Sequence, residues 1–363
     1  MRKAIKYIAL LTGVLLLGIL IVYLTLMYQN RSFIGPSNKE FVEYLIDNKT
    51  VLGKNTFFEH SGHILNRESY TSDIILLGES QGIADVQELD KSLFLHFNKS
   101  KGTRYYLAEI DSLGASMLNS YLADASKDST LLKEYVKRVR QFTPQQESRE
   151  LYDKWSEIYD YNTSLPDTAK FAVIGLAGAL DDTSDMAQSS VMMSNFTKTI
   201  EELQLQNESF YGFLGLFHVL QNGINVGEVR DHKTFGSRLI AQGFSVTSIA
   251  CLDIDSETYV PANDKYPAYL NGQTKLLSMD GPILLVKGIN DLKKATYKNS
   301  NVLFYLDRLN SPYHRSLKLT TLKTNFFDGE FSAFDKLAST TDFFQYVVFL
   351  RNAKANTPLN ESN

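Results

Sequence analysis

Short apolar runs alternate with segments of helical spacing along most of this chain. Four runs are apolar almost throughout and are strand candidates: residues 73–78, 104–111, 170–176 and 211–219. Residues with apolar side chains at helical intervals separate them. Apolar strands that alternate with helices are typical of a parallel sheet with both faces covered. The pattern therefore predicts an α/β domain with a mainly parallel central sheet and helices on both faces.

Two helical segments, 131–142 and 145–159, follow each other without a strand between them. We predict that they form a helical cap inserted at about residues 128–165. Further strand candidates in the C-terminal third complete the sheet: 245–253, 282–286, 302–307 and 343–350. The domain is expected to cover 57–353, and the polar end at 354–363 predicts a flexible tail.

The first 31 residues have a different character. Residues 7–28 contain no charged side chain, and as a helix the run would span about 32 Å, close to the ~30 Å hydrocarbon core of a bilayer. A cleaved signal peptide is the alternative, but its apolar region is shorter and ends at a small-residue site. The sequence predicts an uncleaved transmembrane anchor within residues 1–31, followed by a linker at 32–56.

The basic residues around this run indicate its orientation. Arg2, Lys3 and Lys6 precede it and only Arg31 closely follows it. The positive-inside rule then predicts a cytoplasmic N-terminus and an extracytoplasmic body, which would be periplasmic in a Gram-negative cell. The expected partners are the lipid bilayer, through residues 7–28, and an unidentified small molecule or protein.

Charge and cysteine content exclude other classes of protein. The chain has a net charge of −4, and residues 32–363 hold 33 basic and 41 acidic side chains, a net charge of −8. Such a body lacks the basic surface that neutralises phosphates, which argues against a nucleic-acid partner. Cys251 is the only cysteine in the sequence, so no intrachain disulfide is expected.

Ionisable residues stand at the ends of the predicted strands. Glu79 follows the first strand, Glu109 and Asp111 end the second, and His218 ends the fourth. The carboxyl ends of parallel strands meet at one edge of a sheet. Carboxylates beside a histidine can activate water as a general base or hold a divalent metal ion, which is an open cofactor hypothesis. The structural alternatives are a helix cap, a buried ion pair and a core histidine.

The segments that carry these residues resemble the erythromycin esterase-like family, which belongs to a wider group with ChaN-like haem-binding lipoproteins and TraB/TIKI proteins. The similar segments are GESQG at 78–82, AEID at 108–111, FAVIGL at 171–176, MMSN at 192–195, GFLGLFHVL at 212–220 and FFQYVVFLRNAKANTPLN at 343–360. Together they extend over about residues 57–360. The resemblance implies an α/β fold, a bacterial source and hydrolysis of a lactone by water that a His and a Glu activate.

Three residues match the family's site. Glu79 corresponds to the acid of its G-E motif, Glu109 to the acid on its second strand, and His218 to the second histidine of H-N-x-H. The resemblance thus implies Glu79, Glu109 and His218 as a catalytic set. Gln81 and Asp111 are expected to contribute to binding.

Other positions depart from the family. Gln81 stands where the family has its general-base histidine, and Gly215 replaces the first histidine of H-N-x-H. Gln188 and Ser189 stand where an arginine and an acid usually precede M-x-x-N. A glutamine amide cannot accept a proton at neutral pH, so Gln81 cannot act as that base.

These departures favour a degenerate member of the family that binds a ligand or partner in the retained pocket. The alternative is a hydrolase of a small ester, lactone or amide that uses Glu79, Glu109 and His218. The sequence contains no G-x-S-x-G, so ester hydrolysis would not use a serine elbow. His63 and Arg67, which precede the first strand, are expected to line the pocket, although surface positions are the alternative for the histidine.

Overall fold

The computed structural model describes residues 2–53, 64–178, 185–261, 272–324 and 329–359. Its helices are α1 (Arg2–Ile34), α2 (Lys39–Asp47), α3 (Ala84–Lys101), α4 (Ser112–Ala123), α5 (Ser129–Val139), α6 (Arg149–Thr163), α7 (Asp185–Glu202), α8 (Phe235–Ala241) and α9 (Ile289–Ala295). Its strands are β1 (Lys49–Leu52), β2 (Ile74–Glu79), β3 (Tyr105–Ala108), β4 (Ala172–Gly175), β5 (Phe210–Gly215), β6 (Ile224–Val226), β7 (Val229–His232), β8 (Val246–Ile254), β9 (Ser256–Val260), β10 (Gln273–Leu277), β11 (Leu284–Val286), β12 (Asn301–Tyr305), β13 (Leu322–Thr324), β14 (Gly329–Ala333) and β15 (Tyr346–Arg351).

A mixed eight-stranded sheet forms the centre of the body, in the order β1-β12-β15-β8-β2-β5-β3-β4. The six strands from β15 to β4 are parallel, and β12 and β1 join antiparallel at one edge. The predicted α/β fold with a mainly parallel sheet is confirmed. Two-sided burial explains the apolar runs, because Ile75 and Leu77 enter one hydrophobic cluster and Ile74 and Leu76 another.

Helices cover both faces of this sheet. Helices α3 to α6 contribute to the cluster on the Ile75 face, while α7 and α8 pack on the Ile74 face. Helices α5 and α6 are the pair predicted as an inserted cap. They pack mainly against α4 and α3 beside the sheet, and the short 3₁₀ turn Pro144–Gln146 between them is the part that reaches the carboxyl edge.

A second sheet was not foreseen from the sequence. It has five antiparallel strands in the order β11-β13-β14-β6-β7. The segment 282–286, predicted for the central sheet, supplies β11 of this smaller sheet instead. These strands are only three to five residues long, and so short a run carries too few side chains to reveal its alternation.

Two segments predicted to be loosely attached belong to the folded body. Within the expected linker, α2 buries Phe41 and Leu45, and β1 pairs with β12 at the edge of the central sheet. Within the expected flexible tail, the backbone N–H of Asn356 donates to the Gly82 carbonyl and the Lys354 carbonyl accepts from Ala84. Both assignments are therefore corrected for residues 39–52 and 354–359.

The N-terminal helix α1 is long and apolar enough over Ile5–Ile34 to cross a membrane. Its described apolar side chains up to Tyr28 are mostly exposed. At its C-terminal end, Ile34 is buried in the cluster that contains Leu285. The Ile34 carbonyl also accepts a 2.9 Å hydrogen bond from the Gly288 N–H. The end of the helix is thus attached to the part of the body that carries β11.

Candidate functional site

Three neighbouring strands bring the predicted site residues together. Strand β5 lies between β2 and β3, so Glu79 at the end of β2 and Glu109 just after β3 flank its carboxyl end. The sequence placed His218 at the end of the fourth strand. That detail is wrong, because β5 ends at Gly215 and His218 lies in the 3₁₀ turn Leu216–Val219 that follows. The turn keeps the imidazole at the carboxyl edge.

These residues line one cavity of about 660 Å³. Its polar side includes Glu79, Gln81, Glu109, Gln188, Ser189 and His218. A cleft beyond the carboxyl ends of parallel strands is the usual position for a binding or catalytic site in such sheets.

Glu79 is the most deeply buried acid of the cavity, with a relative exposure of 3%. Burial, together with the nearby charge of Glu109, raises the pKa of the Glu79 carboxyl to about 8. The side-chain amide of Gln146 donates a hydrogen bond to Oε1 of Glu79 and offsets part of this rise. At neutral pH the Glu79 carboxyl is therefore mostly protonated and able to donate a proton.

Glu109 is held by two donors and faces a histidine. The backbone N–H of Gly215 donates to Oε2 of Glu109 over 2.8 Å, and Nε2 of Gln188 donates to Oε1 over 3.2 Å. Oε1 of Glu109 lies 3.7 Å from Nε2 of His218. That separation suits an ion pair with a protonated imidazole and exceeds a hydrogen bond.

Ser189 contacts the other nitrogen of the same imidazole. Its hydroxyl oxygen is 3.1 Å from Nδ1 of His218, and the serine is 1% exposed. In the tautomer with the proton on Nδ1, that N–H donates to Ser189. Nε2 is then a free acceptor near the Glu109 carboxylate, which would stabilise the imidazolium after proton uptake.

Gly215 also faces this cluster. A Cβ atom there would lie 3.4 Å from Oε2 of Glu109, 3.6 Å from Cδ2 of His218 and 3.9 Å from Nε2 of Gln81. The φ of Gly215 is −55°, so its backbone conformation does not require glycine. A side chain at position 215 would therefore project among the polar groups of the cavity.

Two other predicted binding residues, Asp111 and Arg67, lie outside the cavity lining. Asp111 caps α4 through the Gly114 N–H and accepts from both Nε and Nη2 of Arg138. Burial raises the pKa of the Asp111 carboxyl, but the Arg138 and Gly114 hydrogen bonds outweigh it and lower the pKa overall. The interpretation of Asp111 as a binding residue is thus corrected to a structural ion pair. Arg67 is exposed beside a 3₁₀ turn before β2 and does not line the cavity, while His63 lies outside the described residues.

The other wall of the cavity comes mostly from the five-stranded sheet. Its side chains include Phe217, Ile224, Val226, Leu284, Leu322 and Phe331. The rings of Phe217 and Phe331 stack with centroids 4.1 Å apart, which joins the 3₁₀ turn of His218 to β14. The cavity is therefore lined by polar side chains at the edge of the central sheet and by mainly apolar ones from the smaller sheet, which also contributes His232 and Thr324.

Divalent metal binding was an open hypothesis. In the part of the chain that the structure describes, no group of three or more His, Cys, Asp and Glu side chains is placed to hold a metal ion. Glu109 and His218 approach each other, while the Glu79 carboxyl accepts from Gln146.

Comparisons with known proteins support the fold. No family model and no curated protein matches this sequence. Among solved structures, a succinoglycan biosynthesis protein has a TM-score of 0.59 at 10% identity, with 88% of this chain and 98% of that chain covered. A Bacillus cereus protein has a TM-score of 0.60 at 12% identity over 90% of this chain and 100% of that chain.

An erythromycin esterase is also similar in structure. A histidine-to-asparagine mutant of it, in its open conformation, has a TM-score of 0.50 at 11% identity, covering 90% of this chain and 99% of that chain. The resemblance stated from the sequence is thereby confirmed at the level of the fold. At such low identity the likeness gives the fold alone, and membership of a particular family stays a prediction.

Two elements of the site were not predicted. Gln146 contacts Glu79 across 67 positions of sequence, and no local pattern marks it. The apolar wall comes from short strands widely separated along the chain. Their apolar composition is visible in the sequence, but their meeting at one cavity is not.

Proposed function

We propose that this chain is a membrane-anchored hydrolase of esters, lactones or amides that uses water as the nucleophile. The observation that carries the proposal is the meeting, in one cavity, of a protonated carboxyl at Glu79 and the pair of Glu109 and His218. One group is suited to give a proton and the other to take one. Pairs of groups with opposed protonation states are a recurrent arrangement for acid–base catalysis.

The reaction would begin at His218. Its Nε2 takes a proton from water while the water oxygen bonds to the substrate carbonyl carbon, and the Glu109 carboxylate stabilises the imidazolium. As the tetrahedral intermediate collapses, the bond to the leaving oxygen or nitrogen breaks and Glu79 supplies its proton. The proton on His218 then returns to the Glu79 carboxylate through solvent, so that both groups regain their starting states.

The anchor and the location of the body belong to the same proposal. Helix α1 has the length and composition of a membrane span. The basic residues before it, Arg2, Lys3 and Lys6, favour a cytoplasmic N-terminus and an extracytoplasmic body, periplasmic in a Gram-negative bacterium. The bilayer is then a permanent partner of the chain.

The second candidate function is ligand binding without catalysis. It is favoured by Gln81 and Gly215, which stand where the similar family has histidines, and by Gln188 in place of its arginine. A cavity of about 660 Å³ with a polar and an apolar side is adequate for binding alone. Ligand binding without catalysis gives no role to the protonated carboxyl of Glu79.

Turnover by the purified full-length chain in detergent tests the proposal. A panel of simple esters, lactones and amides is assayed with and without EDTA. We expect activity that falls at least 100-fold in His218→Ala and in Glu79→Gln, in the range of general acid–base contributions. Matched controls are His314→Ala, whose exposed imidazole contacts Asp307, and Glu134→Gln on the surface of α5.

The outcomes separate the two candidates. Turnover that is lost in the two site variants and kept in the two controls supports the hydrolase. If the wild-type chain turns over nothing in the panel, or if the site variants equal the wild type, the hydrolase proposal is wrong. Saturable binding of a panel compound without turnover would then favour the binding function.

A further inference from the structure

The cavity joins the acid–base groups to an apolar wall that lies next to the end of the membrane helix. Along β11, Leu284 lines the cavity, and the next residue, Leu285, is buried in the same cluster as Ile34 of α1. Helix α1 contacts β11. One short strand therefore separates the apolar side of the cavity from the last turn of the anchor.

The connection between anchor and body is short and fixed. Four residues, 35–38, separate α1 from α2, and four extended residues span at most about 14 Å. The Gly35 carbonyl accepts from Nδ2 of Asn290 over 2.8 Å, and the Asn38 N–H donates to Oδ1 of Asp291 over 2.6 Å. Both partners lie on α9, so the anchor ends against the body and leaves little freedom for it to move away.

The apolar wall is only partly covered. Phe217, Val226, Leu284 and Phe331 all line the cavity and are half-buried. Apolar side chains left half-exposed inside a cleft are available to an apolar ligand. The same cavity holds the polar groups, so an occupant that contacts both sets of side chains needs a polar head and an apolar part.

We propose that the ligand of this cavity is an amphiphile from the bilayer to which the chain is anchored. Its carbonyl group meets Glu79, Glu109 and His218, and its hydrocarbon chain lies along Phe217, Val226, Leu284 and Phe331. This inference rests on the proposed function, including the membrane anchor, and adds the class and the source of the substrate. Bound hydrocarbon provides affinity because each buried methylene leaves water.

The test uses the full-length chain in vesicles and a series of alkyl esters with 2 to 12 carbons in the acyl chain. Wild type is compared with Leu284→Gln in the same vesicles, so that partition of the ester into lipid cancels. The expected wild-type advantage in kcat/KM grows with chain length by about two- to fourfold for each methylene that contacts the wall. Val226→Asn is a second wall variant, and Leu309→Gln, on an exposed loop, is the control.

A non-hydrolysable series of alkyl ethers gives a readout that does not depend on catalysis. We expect their affinity to rise with chain length in the wild type and not in Leu284→Gln. If short and long esters are hydrolysed equally well by wild type and both wall variants, the amphiphile inference is wrong and the proposed hydrolase stands. If no ester is hydrolysed but the ethers bind with a chain-length dependence that the wall variants abolish, the hydrolase fails and the amphiphile site stands.

A separate experiment tests whether the ligand comes from the bilayer that holds the protein. A long-chain ester is loaded either into the vesicles that hold the protein or into separate vesicles without protein. Faster initial turnover from the shared vesicles supports supply from the chain's own bilayer. Equal rates, with fusion of vesicles excluded by a lipid dye, would overturn that source. If no ester is hydrolysed, binding of the long-chain ether is measured instead. The ether is then loaded in the same two ways, into the vesicles that hold the protein or into separate vesicles.

Discussion

Oε1 of Glu109 lies 3.7 Å from Nε2 of His218, while the other carboxylate oxygen accepts the backbone N–H of Gly215. The carboxylate is thereby oriented by the main chain at the end of the same strand that leads into the histidine's turn. This relationship is the basis for the first prediction, because a carboxylate at this distance stabilises a positive charge on the imidazole.

Replacing Glu109 by glutamine removes the charge that stabilises the His218 imidazolium. We expect Glu109→Gln to lower kcat by about 10²- to 10³-fold, because the imidazolium that forms in the reaction loses a neighbouring negative charge. The matched control is Asp307→Asn, which removes the carboxylate beside the exposed His314. An unchanged kcat in Glu109→Gln would contradict this role of the carboxylate.

The pH dependence of stability follows from Glu79. Its pKa is raised from 4.5 to about 8 in the folded chain, so between these values the folded state keeps a proton that the unfolded state has lost. Stability from this group is fully present below pH 4.5 and falls as pH rises to about 8, by up to ~1.4 kcal/mol per pH unit. Thermal unfolding of wild type and Glu79→Gln from pH 5 to 8 should therefore show a growing advantage for the variant, and Glu134→Gln should show none.

Position 215 can be used to build a metal site. A side chain there projects between Glu109 and His218, so Gly215→His would bring a third ligand to a pair that already stands close together. We expect this variant to bind Zn²⁺ at least tenfold more tightly than wild type, measured by competition with a chromophoric chelator. Gly215→Phe has similar bulk without a ligand atom and should show no gain. Equal zinc affinity in the histidine variant and the wild type would mean that the side chain at 215 does not reach the pair.

A buried ion pair, Lys154 and Asp90, lies close enough to Glu79 to influence its pKa. Nζ of Lys154 is 2.7 Å from Oδ2 of Asp90, and both side chains are at most 2% exposed. Lys154→Met should destabilise the fold by about 3–5 kcal/mol because it leaves a buried carboxylate without its cation, with only the Tyr106 hydroxyl still donating to it. The double variant with Asp90→Asn should recover most of that loss in thermal unfolding. Additive losses in the double variant would show that the pair is not the source of the effect.

The same lysine also affects the proposed acid. The charge of Lys154 lowers the pKa of Glu79, so its removal should raise that pKa further. The alkaline limb of the activity profile is then expected to move to higher pH in Lys154→Met. The double variant, which remains folded if the preceding prediction holds, also loses the charge of Asp90. That charge raises the Glu79 pKa less than Lys154 lowers it, so a smaller move in the same direction is expected there.

Membrane attachment is tested on the intact chain. We expect the protein to stay in the membrane fraction after alkaline carbonate extraction, and a reporter fused after Asn363 to be active only on the extracytoplasmic side. Substituting Arg2, Lys3 and Lys6 by glutamine should reduce that orientation bias. A cytoplasmic reporter signal from the native sequence would contradict the predicted topology. Release of the protein by carbonate would contradict the predicted membrane anchor.

Much of the central fold is predictable because its signals are local. Strand β2 reads as an apolar run since it is covered on both faces. Helix α3 was recognised from the spacing of its apolar residues, although every residue from Leu89 to Asn98 is buried, the polar ones included. Glu79, Glu109 and His218 were found because strand ends in a parallel sheet meet at one edge. Asp111 also follows a predicted strand end, but its carboxylate forms an ion pair with Arg138 and does not line the cavity.

The sequence by itself determined the apolar N-terminal helix, the succession of strands and helices along the chain, and the edge at which the acids gather. These follow from periodicity and composition, which each segment carries alone. The tertiary structure decided the raised pKa of Glu79, the turn that presents His218, and the apolar wall near the end of α1. Each of these depends on distant segments, because desolvation, the Gln146 hydrogen bond and the five-stranded sheet exist only after the chain has packed.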